Sequence, residues 1–118
     1  MRKGVKMEKE EKLTKKDLLK RLPSEDSMLR LADFFSVFGD STRMQIISLL
    51  RQQEMNVSDI ADALDISVSA ISHQLKTLKS HDLVRLKKRG KYSIYYLSDE
   101  HVTRIFDLGL MHLKEKYE

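Results

Sequence analysis

Residues 58 to 97 contain a succession of patterns that few folds can accommodate. A short helix with an apolar face is followed by a two-residue turn at Asp65 and Ile66. Ser67 has the side chain of a helix N-cap, so a second helix is expected to begin beside it. The apolar stripe predicted for this second helix consists of Val68, Ile71, Leu75 and Leu78. Two helices joined this tightly predict a helix-turn-helix unit.

A basic hairpin is predicted directly after the second helix. Two β-prone segments, 83–86 and 92–97, enclose the turn sequence Lys-Lys-Arg-Gly-Lys at residues 87–91. A helix-turn-helix followed by such a hairpin is typical of a winged helix-turn-helix. The fold class expected for the whole chain is therefore mainly α with a small β-hairpin wing.

The remaining helices divide the chain into two predicted parts. Residues 1–23 are interpreted as a basic N-terminal tail and helix. Residues 24–118 are interpreted as a winged-helix DNA-binding domain that ends in a helix for dimerisation and metal binding. Within this domain, a largely buried helix is predicted from Ser24 to Phe38, and another helix is predicted to begin at Asp40 or Ser41.

The composition is that of an ordinary globular domain, since 41% of the 118 residues are hydrophobic and 34% are charged. No apolar run approaches the length needed to cross a bilayer, and no signal-peptide pattern opens the chain. The chain has no cysteine, which excludes disulfides and leaves only nitrogen and oxygen ligands for a metal ion. These features predict a cytoplasmic protein with no membrane partner.

Positive charge is concentrated where the second helix and the hairpin are predicted. Residues 67–91 carry seven basic side chains and one acidic side chain. Small, polar and basic side chains suit a helix in the major groove of double-stranded DNA and a hairpin against its phosphates. The predicted DNA-binding residues are Ser67, Ser69, Ala70, Ser72, His73, Gln74 and Lys76 on the helix and Lys87, Lys88, Arg89 and Lys91 on the hairpin. His81 and the hairpin tyrosines Tyr92, Tyr95 and Tyr96 are interpreted as structural instead.

The last helix, predicted from about Asp99 to Lys116 with Ser98 as its cap, carries four potential metal ligands. They are Asp99, His101, His112 and Glu115. His112 lies eleven positions after His101, so both histidines project from one helix face but lie roughly 16 Å apart. One ion cannot reach both, whereas two antiparallel helices related by a two-fold axis bring the start of each against the end of the other. The spacing therefore predicts a homodimer with two equal zinc sites, which cobalt would fill more weakly.

Two stretches of the sequence are similar to motifs of a known family. The stretch Leu-Ala-Asp-Phe-Phe-Ser-Val-Phe-Gly-Asp-Ser-Thr-Arg, from Leu31 to Arg43, resembles an "ALGDPTR" signature, and residues 67–78 resemble the recognition helix that accompanies it. Both motifs belong to the ArsR/SmtB family of bacterial metal-responsive repressors, which residues 28–116 resemble. The resemblance implies a winged-helix homodimer whose metal-free form represses an operator and is released when its ligand binds.

The metal sites of this family differ between members, and the chain departs from one of them. Residues 54–60 align with an "ELCVCDL" box, but Asn56 and Ser58 stand where its cysteines would be. The thiolate site that senses arsenic, cadmium or lead is therefore missing. The C-terminal helix is similar to the zinc-sensing branch, in which a metal-bound histidine at the position of His112 hydrogen-bonds toward the recognition helix. The resemblance thus implies zinc-induced expression of metal efflux or sequestration genes.

Three other interpretations remain open from the sequence. The first is a winged-helix regulator that senses a small molecule, because the lack of cysteine argues against a redox signal. The second is a metalloenzyme, but a four-ligand set with no open position argues against it, so no enzyme activity is expected. The third is a DNA-packaging protein, which would bind DNA irrespective of its sequence.

Overall fold

The fold is taken from a computed structural model that describes residues 12–117, so residues 1–11 of the predicted N-terminal tail lie outside it. The helices are α1 (Lys15–Lys20), α2 (Glu25–Val37), α3 (Ser41–Gln52), α4 (Val57–Leu64), α5 (Val68–Ser80) and α6 (Glu100–Tyr117). The strands are β1 (Met55–Asn56), β2 (Val84–Arg89) and β3 (Tyr92–Leu97). None of these helices is long and apolar enough to span a membrane. The predicted fold class, mainly α with a small β-hairpin wing, is confirmed.

The chain forms two compact units, the first ending at Ala32 and the second beginning at Asp33, within α2. In the first unit, α1 begins with a capping box. The Thr14 hydroxyl accepts from the Asp17 amide at 3.1 Å, and the Asp17 carboxylate accepts from the Thr14 amide at 3.4 Å. This helix buries none of its residues. Its stability therefore comes from local capping and not from a core of its own.

The helix-turn-helix consists of α4 and α5, as predicted, and a side chain caps each helix. The Asn56 side chain accepts from the Asp59 amide at 2.8 Å at the start of α4. Asp65 has a left-handed backbone with φ of 56°, which ends α4 and turns the chain toward α5. The apolar faces of the two helices then meet in the core. Their fully buried large residues are Ile60, Ile71, Leu75 and Leu78.

The hairpin of β2 and β3 forms as predicted, but its turn is shorter than the sequence indicated. Lys87, Lys88 and Arg89 all pair with β3 and belong to the strand. Only Gly90 and Lys91 remain in the turn, because Gly90 adopts a φ of 65° that glycine takes without strain. On its other side, β3 pairs with β1, so that the sheet order is β1-β3-β2.

The hydrophobic core of the second unit lies between α3, α4, α5, the sheet and α6. Besides the α4 and α5 residues, its fully buried large side chains are Ile46, Ile47, Leu83 and Val84. Val102 is the buried residue of α6. No polar or charged residue is buried within the described range. The core thus holds the helix-turn-helix against the wing through apolar packing.

Three local predictions are wrong. The α2 helix is not largely buried, because Leu29, Phe35 and other apolar side chains of it are between 44% and 64% exposed. Val68 is 50% exposed, because it is the first residue of α5 and precedes the turn that packs on the core. Ser98 is not the cap of α6, since its hydroxyl is buried without a hydrogen-bond partner. Asp99 replaces it, because its carboxylate accepts from the His101 amide at 2.8 Å.

Candidate DNA-binding face and metal-binding helix

The outward face of α5 brings together most of the predicted DNA-binding residues of that helix. Its exposed members are Ser67, Ser69, Ala70, Ser72, His73 and Lys76. The oxygen of the Ser67 hydroxyl accepts from the Ala70 amide at 3.1 Å, which leaves the hydroxyl proton to donate elsewhere. Small side chains at a helix N-terminus permit close approach of the backbone to phosphates and base edges. This surface can therefore enter a major groove.

Gln74 differs from these neighbours because it is half-buried and bonded within the chain. Arg43 donates from Nε to the Gln74 amide oxygen at 2.9 Å and from a terminal nitrogen to the Val37 carbonyl at 3.2 Å. Asp40 positions Arg43 in turn, since its carboxylate accepts from the Arg43 amide at 3.0 Å. Arg43 therefore joins the end of α2 to α5, and base reading by Gln74 stays a prediction.

Two of the predicted DNA-binding cations on the wing are held by one carboxylate. Lys87 Nζ lies 3.0 Å from one oxygen of Glu54, and a terminal nitrogen of Arg89 lies 3.6 Å from the other. Lys87 also lies 5.4 Å from the centre of the Tyr96 ring. The Glu54 carboxylate was not predicted as part of the site, because the strand register that brings it close is not visible in the sequence.

The other two predicted cations of the wing contact residues of the hairpin itself. Lys88 Nζ donates to the Ser93 hydroxyl at 3.2 Å, and Lys91 Nζ lies 5.6 Å from the centre of the Tyr92 ring. Tyr95, on the opposite face of β3, packs against the core. Tyr95 and Tyr96 are half-buried, in agreement with their interpretation as packing residues, whereas Tyr92 is 52% exposed. All four cations remain exposed to solvent.

His81 has a structural role at the end of α5, as the sequence indicated. Its Nδ1 lies 3.0 Å from the Thr77 carbonyl oxygen, and its Nε2 lies 3.2 Å from the Asp33 carboxylate. The imidazole thus bridges the last turn of α5 to α2. A histidine that satisfies both ring nitrogens inside the protein is poorly placed to contact DNA.

The first pair of predicted metal ligands lies at the start of α6. The Asp99 carboxylate caps the helix through the amide of His101 and lies 3.2 Å from the Nδ1 atom of the same residue. The Asp99 side chain is 50% exposed and the His101 side chain is 78% exposed. Asp99 therefore sits before the helix proper, as predicted, and both donors face solvent at one end of α6.

The second pair, His112 and Glu115, lies near the other end of α6, and both residues are exposed. Within residues 12–117, no three His, Cys, Asp or Glu side chains converge in a way that could hold a metal ion. The same range shows no hydrogen bond from His112 to α5. A site that uses all four ligands thus requires a second chain, and the assignment of these residues to zinc stays a prediction.

An apolar groove of about 530 Å³ lies beside the second pair of ligands. It is lined by Phe35, Phe38, Met44, Ile105, Phe106, Gly109, Leu110, His112 and Leu113. The groove is formed by α6 together with the end of α2 and the start of α3. Apart from Gly109 itself, its chain neighbours and the adjacent backbone of α6, no atom lies within 4 Å of the place where a Cβ on Gly109 would be, so this part of α6 is open to close approach.

A bidentate ion pair fastens α6 to α3. Arg51 donates to the two carboxylate oxygens of Asp107 at 2.6 and 2.8 Å. The hydrogen bond and charge of Arg51 lower the pKa of Asp107 from its usual value of 3.8, and Asp107 raises the pKa of Arg51. The sequence did not reveal this pair, because nothing in it relates two residues that are 56 positions apart.

Known proteins resemble this chain in both sequence and structure. Residues 40–85 match the family described as bacterial regulatory protein, arsR family. A transcriptional repressor SmtB homolog of Synechocystis sp. is 39% identical over 90 residues, which are 76% of this chain and 68% of that protein. A cadmium resistance transcriptional regulatory protein CadC homolog of Staphylococcus aureus is 33% identical over 102 residues, which are 86% of this chain and 80% of that protein.

A solved structure matches the fold at similar coverage. It is the homodimeric winged helix-turn-helix DNA-binding domain of a possible ArsR-family transcriptional regulator from Mycobacterium bovis. The TM-score is 0.73 at 29% identity, over 82% of this chain and 92% of that one. The family match covers the two helices of the helix-turn-helix and the start of the wing, which carry the exposed polar face described above. The chain is therefore a member of the ArsR/SmtB family of DNA-binding bacterial transcription regulators.

Proposed function

We propose that the chain is a zinc-responsive transcriptional repressor that acts as a homodimer in the cytoplasm. The metal-free dimer binds operator DNA through α5 and the wing, and zinc binding between the two copies releases it. Release allows expression of metal efflux or sequestration genes. One observation carries the proposal: a pair of candidate metal donors lies at each end of α6, with exposed apolar side chains between the two pairs.

The homodimer is supported by the apolar surface that a single chain leaves open. Leu108 is 62% exposed and Met111 is 53% exposed, although both lie in the middle of a well-formed helix. Phe35, Leu110 and Leu113, which line the groove, are 50%, 43% and 52% exposed. Exposed apolar side chains concentrated in this way favour a protein partner over solvent. A second copy is the expected partner, since the related Mycobacterium bovis domain is described as homodimeric.

The positions of the ligands on α6 support an antiparallel contact between the two copies. Residues 99 and 115 are centred on residue 107, and residues 101 and 112 are centred half a residue earlier. A two-fold axis near this centre therefore brings the first pair of one copy to the second pair of the other, twice per dimer. Gly109 lies beside the centre and permits the two helix backbones to approach closely.

The four donors fit zinc in their chemistry and in their exposure. Two imidazole nitrogens and two carboxylate oxygens are ligands that zinc accepts in closed four-coordinate sites, and cobalt accepts the same set more weakly. Asp99 holds its carboxylate against His101, so that both donors are presented from the same end of α6. His112 lines the groove beside residues of α2 and α3, elements that contact the DNA-binding helix. Bound zinc would supply four bonds that cross-link the two copies.

Mixing two inactive variants tests this arrangement directly. The first variant carries Asp99→Ala and His101→Ala, and the second carries His112→Ala and Glu115→Ala. Neither homodimer has a complete site, whereas a mixed dimer has one complete site and one empty of ligands. We expect cobalt(II), read by its visible absorption, to bind tightly only after the two variants are mixed and allowed to exchange subunits.

The control for the exchange experiment is the unmixed pair, measured at the same total protein concentration. A tetrahedral cobalt spectrum in the mixture alone supports a site shared by two copies. The same spectrum in either unmixed variant would mean that the metal uses other ligands. No spectrum in the mixture, with binding intact in the wild type, would disprove the antiparallel arrangement.

A further inference from the structure

The carboxylate of Glu54 lies against two cations of the wing. It comes immediately before β1, and β1 is the neighbour of β3 in the sheet. Lys87 and Arg89 are two residues apart in β2 and therefore project from the same face of the strand. Glu54 contacts both, at 3.0 and 3.6 Å, across the face of the sheet. One acidic side chain thus partly neutralises two of the wing's cations.

We propose that Glu54 competes with DNA for the cations of the wing. In the free protein it holds Lys87 and Arg89, and it must give them up when DNA phosphates approach. Binding of DNA then leaves the Glu54 carboxylate without its partners, close to phosphates of the same charge. The competition lowers the affinity for any duplex. It also makes the affinity less dependent on salt concentration, because the released Glu54 carboxylate takes up a cation from solution while the phosphates release their own counterions.

The exposure of these groups sets the size of the effect. The side chains of Glu54, Lys87 and Arg89 are 41%, 43% and 66% exposed, so water screens their attraction. Exposed pairs of this kind contribute little to folding, so removing them should leave the fold intact. Near the DNA backbone, however, the same charges act on binding. The inference rests on the proposed DNA-binding function and identifies a residue that tunes its strength.

The test compares the binding of Glu54→Gln and wild-type protein to a fluorescein-labelled duplex of mixed sequence, in the absence of zinc. We expect Glu54→Gln to bind about three- to tenfold more tightly at roughly 50 mM salt. The gain should shrink by roughly 200 mM salt, so the slope of affinity against salt concentration becomes steeper. The ratio of affinities for two duplexes of different sequence should not change, because phosphate contacts carry no sequence information.

A double-variant cycle identifies the route by which Glu54 acts. In a Lys87→Gln, Arg89→Gln background, Glu54→Gln should change affinity much less than it does in the wild type. Asp62→Asn is the matched control, since it removes the same charge from an exposed residue of α4 that makes no ion pair within residues 12–117. It should leave affinity nearly unchanged. Thermal melting of each variant establishes that all are folded.

The possible outcomes separate this inference from the proposed function. Weaker or unchanged binding by Glu54→Gln, with normal binding by the wild type, would overturn the competition. An equal gain in the Lys87→Gln, Arg89→Gln background would also overturn it, because the effect would then be general repulsion. Absence of binding by the metal-free wild-type protein to any duplex would contradict the DNA-binding function itself.

Discussion

At the scale of single residues, two arginines tie separate elements of the second unit together. Arg51 joins α3 to α6 through Asp107, and Arg43 joins the end of α2 to α5 through Gln74. Their partners lie 56 and 31 positions away in the sequence. No helical or strand period relates residues at such separations, so these contacts could not be predicted. These contacts form only when the helices pack and the side chains adopt the rotamers that this packing allows.

Replacing Asp107 with Asn should lower stability at neutral pH but not at low pH. The folded-state pKa of Asp107 is lowered by Arg51, so its charged form stabilises the fold above the usual value of 3.8. That stabilisation is lost as the pH falls through the lowered pKa. We expect the variant to melt a few degrees below the wild type at about pH 7, and the difference to close only as the pH falls from 3.8 through the lowered pKa.

Circular dichroism melts over this pH range measure the effect. Asp26→Asn is the control. It removes a carboxylate whose one ion pair among the described residues is with Arg30, and the Arg30 and Asp26 side chains are 81% and 74% exposed. Its melting temperature should match that of the wild type at every pH. A difference for Asp107→Asn that stayed constant down to about pH 2 would contradict a role for its charge.

Alanine substitutions of the two apolar residues at the start of α5 should differ sharply in how much they lower the free energy of unfolding. Ile71 is fully buried, so Ile71→Ala should destabilise the fold by about 2–5 kcal/mol. Val68 is half-exposed, so Val68→Ala should cost less than about 1 kcal/mol. Urea unfolding measures both. Equal losses would mean that Val68 packs in the core, as the helical period alone suggested.

At the scale of elements, helices were predicted more accurately than the wing. The first helix of the helix-turn-helix was expected over 58–64 and is observed as Val57–Leu64. Caps and the 3.6-residue period are local signals, which a sequence displays directly. The length of the hairpin turn and the contact of Glu54 with the wing depend on strand register, which packing fixes. The exposure of α2 was mispredicted because a single chain covers only part of the apolar face of this helix.

The turn between α4 and α5 offers a test of the helix-turn-helix geometry. Asp65 adopts a left-handed φ of 56°, which aspartate tolerates and β-branched residues do not. Asp65→Val should destabilise the fold by about 1–2 kcal/mol, whereas Asp65→Gly should be nearly neutral. Ala63→Val, in the preceding helix, is the control and should cost less than about 1 kcal/mol. Equal unfolding free energies for Asp65→Val and Asp65→Gly would show that the turn relaxes to another conformation.

At the scale of the whole molecule, the separation of the four candidate ligands along one helix could be predicted, whereas the apolar surface open beside them could not. The spacing of residues 99, 101, 112 and 115 required two chains, and the single chain indeed separates the pairs along α6. The sequence could not tell which apolar residues stay open for the second copy, because the same helical period marks core and interface. The exposed Leu108 and the open groove supply that information.

A charge placed at the centre of α6 should separate the two copies. Leu108→Lys puts two like charges near the proposed two-fold axis. Because burying an unpaired charge in an interface is costly, the dimer dissociation constant should rise at least about tenfold. The protomer should stay folded, because Leu108 is 62% exposed. Thr103→Lys, about 140° away around the helix, is the control and should leave the dimer intact. Sedimentation equilibrium distinguishes them, and a dimeric Leu108→Lys protein would exclude this interface.

The most direct test of the account is a zinc titration of the protein on its own promoter DNA. Chelator-treated protein is bound to a fluorescently labelled imperfect palindrome from that promoter, and anisotropy is followed as zinc is added. We predict tight binding that collapses at about one zinc per subunit, and no collapse for His112→Asn, which keeps a neutral polar side chain but removes the imidazole ligand. Binding that is unchanged by zinc in the wild type would contradict a zinc-released repressor and would leave α6 as a dimerisation helix alone.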